Sequence, residues 1–244
     1  MLARPIRSPV TPPTSSDLLI IECDSASLAA DRLNLGSLFY QLLSHDIAKL
    51  FFANKKIVLL KTSTRAKLNE QFAEALERHG RFRAVLVVGH SNPEGIRVAH
   101  DEFLEWRVFG HWLAPFAPEL IFLAACEAGK STAVRDLFEP LKATLCDVYA
   151  CPVKLYPLQA ASFAVLIASL LWTGDIDEND STVAQLLNYV TTGGQIYRWS
   201  YDETGAGAQI PAKSWDDLSK ALDFGPWDLH RQIDDWIQGV RRNS

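Results

Sequence analysis

The chain has 244 residues, 48% apolar and 22% charged, with a formal charge of −5. That balance fits an ordinary globular protein with a sizeable core, built as one large domain or one domain with an appendage. The acidic total and the lack of a dense Lys/Arg run exclude the usual footprint for nucleic acid.

Residues 1–16 carry four prolines and two arginines, without the apolar run of a signal peptide, and read as a disordered segment. A first strand covers 18–23 and ends at Asp24. Apolar residues at helical spacing (Leu38, Leu42, Ile47, Leu50, Phe51) predict a helix over 33–53. A second strand follows at 56–61. Ser63-Thr64 can cap a helix running to His79, with Gly80 as its stop. The third strand, 84–89, is continuously apolar and ends on His90. The loop 91–99 holds Asn92-Pro93 and Gly95, with a short edge strand at 96–98. Residues 102–113 are amphipathic and predict a helix, broken by Pro115 and Pro118.

The fourth strand, 120–125, is again continuously apolar and ends on Cys126. A helix over 130–139 stops at Pro140, and a fifth strand covers 147–153. Residues 158–172 are apolar, but as a helix they span roughly 22 Å against a hydrocarbon core of about 30 Å, so a buried helix and no membrane partner are expected. Ser181-Thr182 can cap a helix over 183–191. Gly205-Ala-Gly-Ala208 reads as a flexible loop, and two short amphipathic helices follow near 214–222 and 227–237. Alternating strands and helices argue for an α/β fold with a mostly parallel central sheet and helices on both faces. The expected organisation is a disordered segment 1–16, a domain 17–200, and a helical C-terminal extension 201–244 packed on that domain.

The four cysteines, Cys23, Cys126, Cys146 and Cys151, form no CxxC pair and have no His at metal-finger spacing. No metal and no cofactor are expected, and the reading is of a reduced, cytoplasmic protein. Gly205-Ala-Gly207 lacks the third glycine and the preceding strand of a dinucleotide loop. Asp175, Asp177 and Asp180 lack the Gly and terminal Glu of a calcium loop. His45, His79, His100, His111 and His230 show no partner pattern and read as surface or packing residues.

His90 and Cys126 are different, because each is delivered by a buried strand to the carboxyl edge of the sheet, where ligands bind in open α/β folds. Their separation of 36 positions leaves room for one loop, one helix and the next strand, so the two strand tips are expected to be neighbours. A neighbouring imidazole stabilises the attacking thiolate as an ion pair. The oxyanion of acyl transfer also needs donors, for which the Cys126 amide and the amide of Ser91 or Asn92 are candidates. The helix that opens near Gly129 and Lys130 adds its positive end, which favours the thiolate. The bland alternative makes each residue a packing residue at a strand end.

The segments Val87-Val-Gly-His90 and Phe122-Leu-Ala-Ala-Cys-Glu-Ala-Gly129 resemble the caspase-like cysteine peptidases, above all the CHAT branch found in bacteria. That branch has a strand ending in His-Gly and a strand ending in a Leu-x-Ala-Cys-x-Ser-Gly pattern. The run 148–171 also fits, since a small-residue-rich helix follows the strand after the Cys helix in those proteins. The resemblance covers roughly residues 18–200 and implies a three-layer α/β/α caspase-like sandwich. It further implies a cysteine endopeptidase in which His90 is the general base and acid, Cys126 forms the acyl-enzyme, and Ser91 and Cys126 supply the oxyanion hole. Asp24 takes the position that contributes to the S1 pocket, where a carboxylate would favour Lys or Arg at P1; its alternative is a turn or helix-cap residue. Glu127 lines the cleft or faces solvent. The implied substrate is a protein or peptide, with a dedicated regulatory protein as partner, in bacterial defence or regulated proteolysis.

Two positions depart from the family pattern: Ser91 stands where it has Gly, and Ala128 where it has Ser. They leave open a catalytically silent interaction module on the same fold. A flavodoxin-like nucleotide- or signal-binding domain is the third reading, for which Asp24-Ser-Ala-Ser27 is a poor phosphate loop.

Overall fold

Runs such as Ala84–Val88 and Leu120–Ala125 offer no polar face, so they are stable only as strands covered on both sides. They form the middle of a sheet in the computed structural model, which describes residues 16–24, 35–44, 56–142, 146–154, 197–201 and 207–210. In chain order the elements are β1 (Ser16–Glu22), α1 (Leu35–Ser44), β2 (Ile57–Lys61), α2 (Arg65–His79), β3 (Phe82–Gly89), β4 (Gly95–Ala99), β5 (Glu102–Glu105), α3 (Trp106–Leu113), β6 (Leu120–Ala125), α4 (Ser131–Leu141), β7 (Asp147–Ala150), β8 (Tyr197–Tyr201) and β9 (Gly207–Ile210).

Seven strands form one sheet in the order β2-β1-β3-β6-β7-β8-β9. The first five are parallel, and β8 and β9 are added antiparallel at the edge. The chain is therefore an α/β fold with a mostly parallel central sheet, as the alternation predicts. From β1 the sheet grows one way to β2 and the other way to β3, β6 and β7. The point of reversal lies between β1 and β3, and the crevice outside their carboxyl ends is where such sheets bind ligands.

Strand alternation sorts the core into two faces. Leu19, Ile21, Val85, Val87, Ile121, Leu123 and Ala125 join the α2, α3 and α4 residues Phe72, Phe109, Leu113, Leu137 and Phe138 in one buried cluster. The opposite face carries Leu18, Ile20, Leu86 and Phe122, also fully buried, and Glu22, whose carboxylate accepts the Ser37 amide of α1 at 2.9 Å. At α2 the expected caps are present. The Thr64 side chain accepts from the Lys67 amide, and Gly80 (φ 67°) closes the helix with its amide on Leu76.

The structure differs from the sequence reading in several places. Residues 102–105 are a strand, not the first turn of a helix: Leu104 is buried between exposed Phe103 and Glu105, and the segment pairs with β4. Gly95 permits that pairing, because a Cβ there would collide with the Leu104 carbonyl. α4 runs on to Leu141 with Pro140 in its last turn, where the ring packs on Gly110 of α3. β7 ends at Ala150, three residues earlier than expected. Gly207 and Ala208, expected in a loop, open β9, so the sheet continues through residue 210 and across the boundary placed at 200.

The segment 1–15 and the helices expected over 158–171, 183–191, 214–222 and 227–237 lie outside the described residues, as does 45–53 of the first helix. Among the described residues no helix is long and apolar enough to cross a membrane.

Candidate active site

β3 and β6 are adjacent and parallel, in a register that runs from Ala84↔Leu120 to Gly89↔Ala125. His90 and Cys126 are the next residues along the chain, just beyond the ends of β3 and β6. Continuing the period-2 alternation of the two strands would give both positions the face of Val88 and Ala124, opposite the α2–α4 cluster. Both residues are half-buried. The Ser91 hydroxyl donates to the Cys126 carbonyl, tying the two strand tips together. Ser91, a departure from the pattern that the sequence resembles, therefore has a defined contact at the strand tips.

The loop after His90 is held from several sides. The Asn92 side chain accepts from the Glu94 and Gly95 amides, both at 2.9 Å. The Asn92 amide donates to the Gly95 carbonyl at 3.0 Å, and the Trp106 indole donates to the Asn92 carbonyl at 3.0 Å. Of the two amides considered for the oxyanion, that of Asn92 is thus engaged within the loop. The Arg97 amide donates to the His90 carbonyl at 2.9 Å, which fixes the backbone of the imidazole residue itself.

Asp24 follows β1, whose Cys23 amide donates to Val88 at 2.9 Å. Asp24, His90 and Cys126 consequently end three neighbouring strands along one edge. The Asp24 carboxylate is 3% exposed and lies 2.6 Å from the Arg97 guanidinium Nε. That ion pair offsets the charge on which a preference for Lys or Arg at P1 would depend. Arg97 carried no functional reading in the sequence; its only signal was a charge alternating with Ile96 and Val98.

On the other side of the thiol, the segment 126–129 forms a turn packed against 150–153. The Glu127 amide donates to Val153 at 3.0 Å and the Gly129 amide to Cys151 at 2.9 Å. Glu127 adopts φ 57°, and its carboxylate is paired with Lys130 at 2.6 Å. Ala128 is fully buried and belongs to the core cluster, so the second departure from the family pattern lies in apolar packing. Among the described residues no group of three or more His, Cys, Asp or Glu is arranged to hold a metal ion.

Cys126 is the half-buried cysteine; Cys23, Cys146 and Cys151 are buried. Burial, with the nearby Asp24 and Glu22 charges, pushes the Cys23 thiol far up, and burial also raises that of Cys151. Brief iodoacetamide treatment of the folded chain is expected to modify Cys126, leaving the other three for the unfolded chain, as peptide mapping would report. The raised thiols also set a pH trend. A folded-state value above the unfolded one leaves stability intact below the unfolded thiol pKa of about 8.5 and erodes it as pH climbs beyond.

No protein-family model matches this chain, and comparison with the curated proteins gives no match.

Proposed function

We propose that the chain is a cysteine endopeptidase of the caspase-like, CHAT type, in which Cys126 attacks the scissile carbonyl and His90 moves the proton. The observation that carries this reading is the in-register pairing of the two strands that end on His90 and Cys126, with both side chains assigned to one face. In the reaction the thiolate adds to the peptide carbonyl, and the imidazolium gives its proton to the leaving amine. Water, deprotonated by the same imidazole, then releases the acyl group. The Ser91 and Cys126 amides are the proposed donors to the oxyanion.

The substrate class is an extended protein or peptide, and a dedicated regulatory protein in bacterial defence or regulated proteolysis is the setting the sequence resemblance suggests. With Asp24 paired to Arg97, we assign no basic preference at P1; Glu127 remains the proposed cleft-lining carboxylate. The catalytically silent interaction module draws on one observation: the Glu127 and Gly129 amides that follow the thiol are already bound to the 151–153 segment.

The test is incubation of wild-type and Cys126→Ala chains with a peptide library, read by mass spectrometry. Cleavage by the wild type alone is the expected result. Cleavage of equal extent by both excludes Cys126 as the nucleophile, and cleavage by neither favours the silent module.

A further inference from the structure

We propose that Arg97 is a positioning residue for His90, acting through its ion pair with the buried Asp24 carboxylate on the flank of the dyad away from Cys126. This rests on reading His90 as the imidazole of the dyad. Arg97 is tied at two points at once. Its amide donates to the His90 carbonyl at 2.9 Å, and its guanidinium reaches Asp24 at 2.6 Å. The β4 hairpin is thereby tied both to the tip of β3 and to the tip of β1.

The backbone carries the mark of this arrangement. Asp24 has φ 50°, a conformation that costs energy in any residue but Gly and is most tolerated by Asn and Asp. Among the described non-glycine residues only Ala117 and Glu127 share a positive φ, and Glu127 directly follows Cys126. Strain of this kind persists where surrounding contacts over-determine it. At Asp24 the over-determining contact is a carboxylate 3% exposed against a guanidinium 20% exposed.

Two paired opposite charges at the same strand tips as an imidazole partly cancel there, and removing either leaves the other unopposed. The charged groups that the described strand tips bring to this end of the sheet are Asp24 after β1, Arg97 from β4, and the Glu127–Lys130 pair from the β6–α4 turn. Glu22 lies further along β1, near Lys61 at 3.7 Å. Neutralising Asp24 leaves the Arg97 cation unopposed, so the imidazolium is disfavoured and gives up its proton at lower pH. Neutralising Arg97 leaves the Asp24 anion unopposed, so the imidazolium persists to higher pH.

The test is an NMR titration of His90 in the full chain carrying Cys126→Ala, so that the imidazole titrates without its thiol partner. The resonance is assigned by its loss in His90→Gln. Asp24→Asn, which keeps a residue suited to positive φ, is expected to lower the midpoint by about half a pH unit or more, and Arg97→Gln to raise it similarly. Arg97→Lys is expected to stay near the parent. Shifts of the same sign, or none, overturn the proposal, because loss of structure alone gives no opposite signs. Should Asp24→Asn not fold, the comparison of Arg97→Gln with Arg97→Lys decides alone, and coincident titrations overturn it. The measurement needs no substrate, so it stays readable if the chain cleaves no peptide, and a cleaving chain with unmoved titrations would sink this inference alone.

Discussion

Gly129→Ala is expected to lower the midpoint of thermal unfolding by about 5–15 °C, at a cost of about 2–4 kcal/mol. A Cβ at Gly129 would sit 2.7 Å from the Cys151 carbonyl carbon, 2.8 Å from the Ala150 oxygen and 2.8 Å from the Pro152 nitrogen. All three atoms are main chain, so no side chain can rotate out of the way. The Gly129 amide also donates to Cys151 at 2.9 Å, and the displacement that admits a methyl group lengthens that bond. Overpacking costs about 1–3 kcal/mol and a weakened buried hydrogen bond about 1 more. Gly80→Ala is the useful contrast, since a Cβ there meets nothing within 4 Å and only the positive φ opposes it. A Gly129→Ala chain that melts within about 2 °C of the wild type would show that the Cys126 turn is not packed against 150–153 as described.

His90→Ala is expected to slow peptide hydrolysis by about 10²–10⁴-fold while leaving Cys126 in place. The range follows from what a positioned proton carrier usually contributes. The thiol alone still adds to carbonyls, but it must ionise without an imidazolium, and the leaving amine must find its proton in water. Cys126→Ala removes the covalent route altogether and is expected to fall below His90→Ala. Steady-state hydrolysis of a peptide cleaved by the wild type checks both. A loss of less than about threefold in His90→Ala would remove the imidazole from the mechanism.

The features legible in the sequence were those written in local pattern. Continuous apolar runs ending on one polar residue gave the buried strands, and the spacing of 36 positions gave the adjacency of the strands that precede His90 and Cys126. Ser63-Thr64 and Gly80 gave the ends of α2 because caps and left-handed stops are set by nearest neighbours. The stretch 102–105 was misread because four residues of strand and the eight-residue helix after them share apolar positions. What separates them is pairing with β4, a tertiary contact permitted by Gly95. β8 had a visible signal, the alternation Tyr197-Arg-Trp-Ser-Tyr201 with Trp199 buried. The sequence reading placed no element there.

At the site, the pairing of Asp24 with Arg97 had no sequence signature. The two residues are far apart in the chain, and only the fold-back of the β4 hairpin over the tip of β1 brings them to 2.6 Å. For the same reason the Asn92–Gly95 hydrogen bond, which belongs to a particular turn, was not legible in the sequence.

The pairing of thiol and imidazole is tested most directly by the pH–rate profile for alkylation of Cys126, measured in the wild type and in His90→Ala. An unpartnered thiol is under about 1% thiolate at pH 6. A thiolate held by an imidazolium is abundant there, though less nucleophilic, because nucleophilicity falls with basicity. Together these effects predict that the wild type reacts about tenfold faster near pH 6, and that the difference closes by about pH 9. Profiles that coincide from about pH 5 to 9 would contradict the account, because the thiol would then ionise without regard to His90.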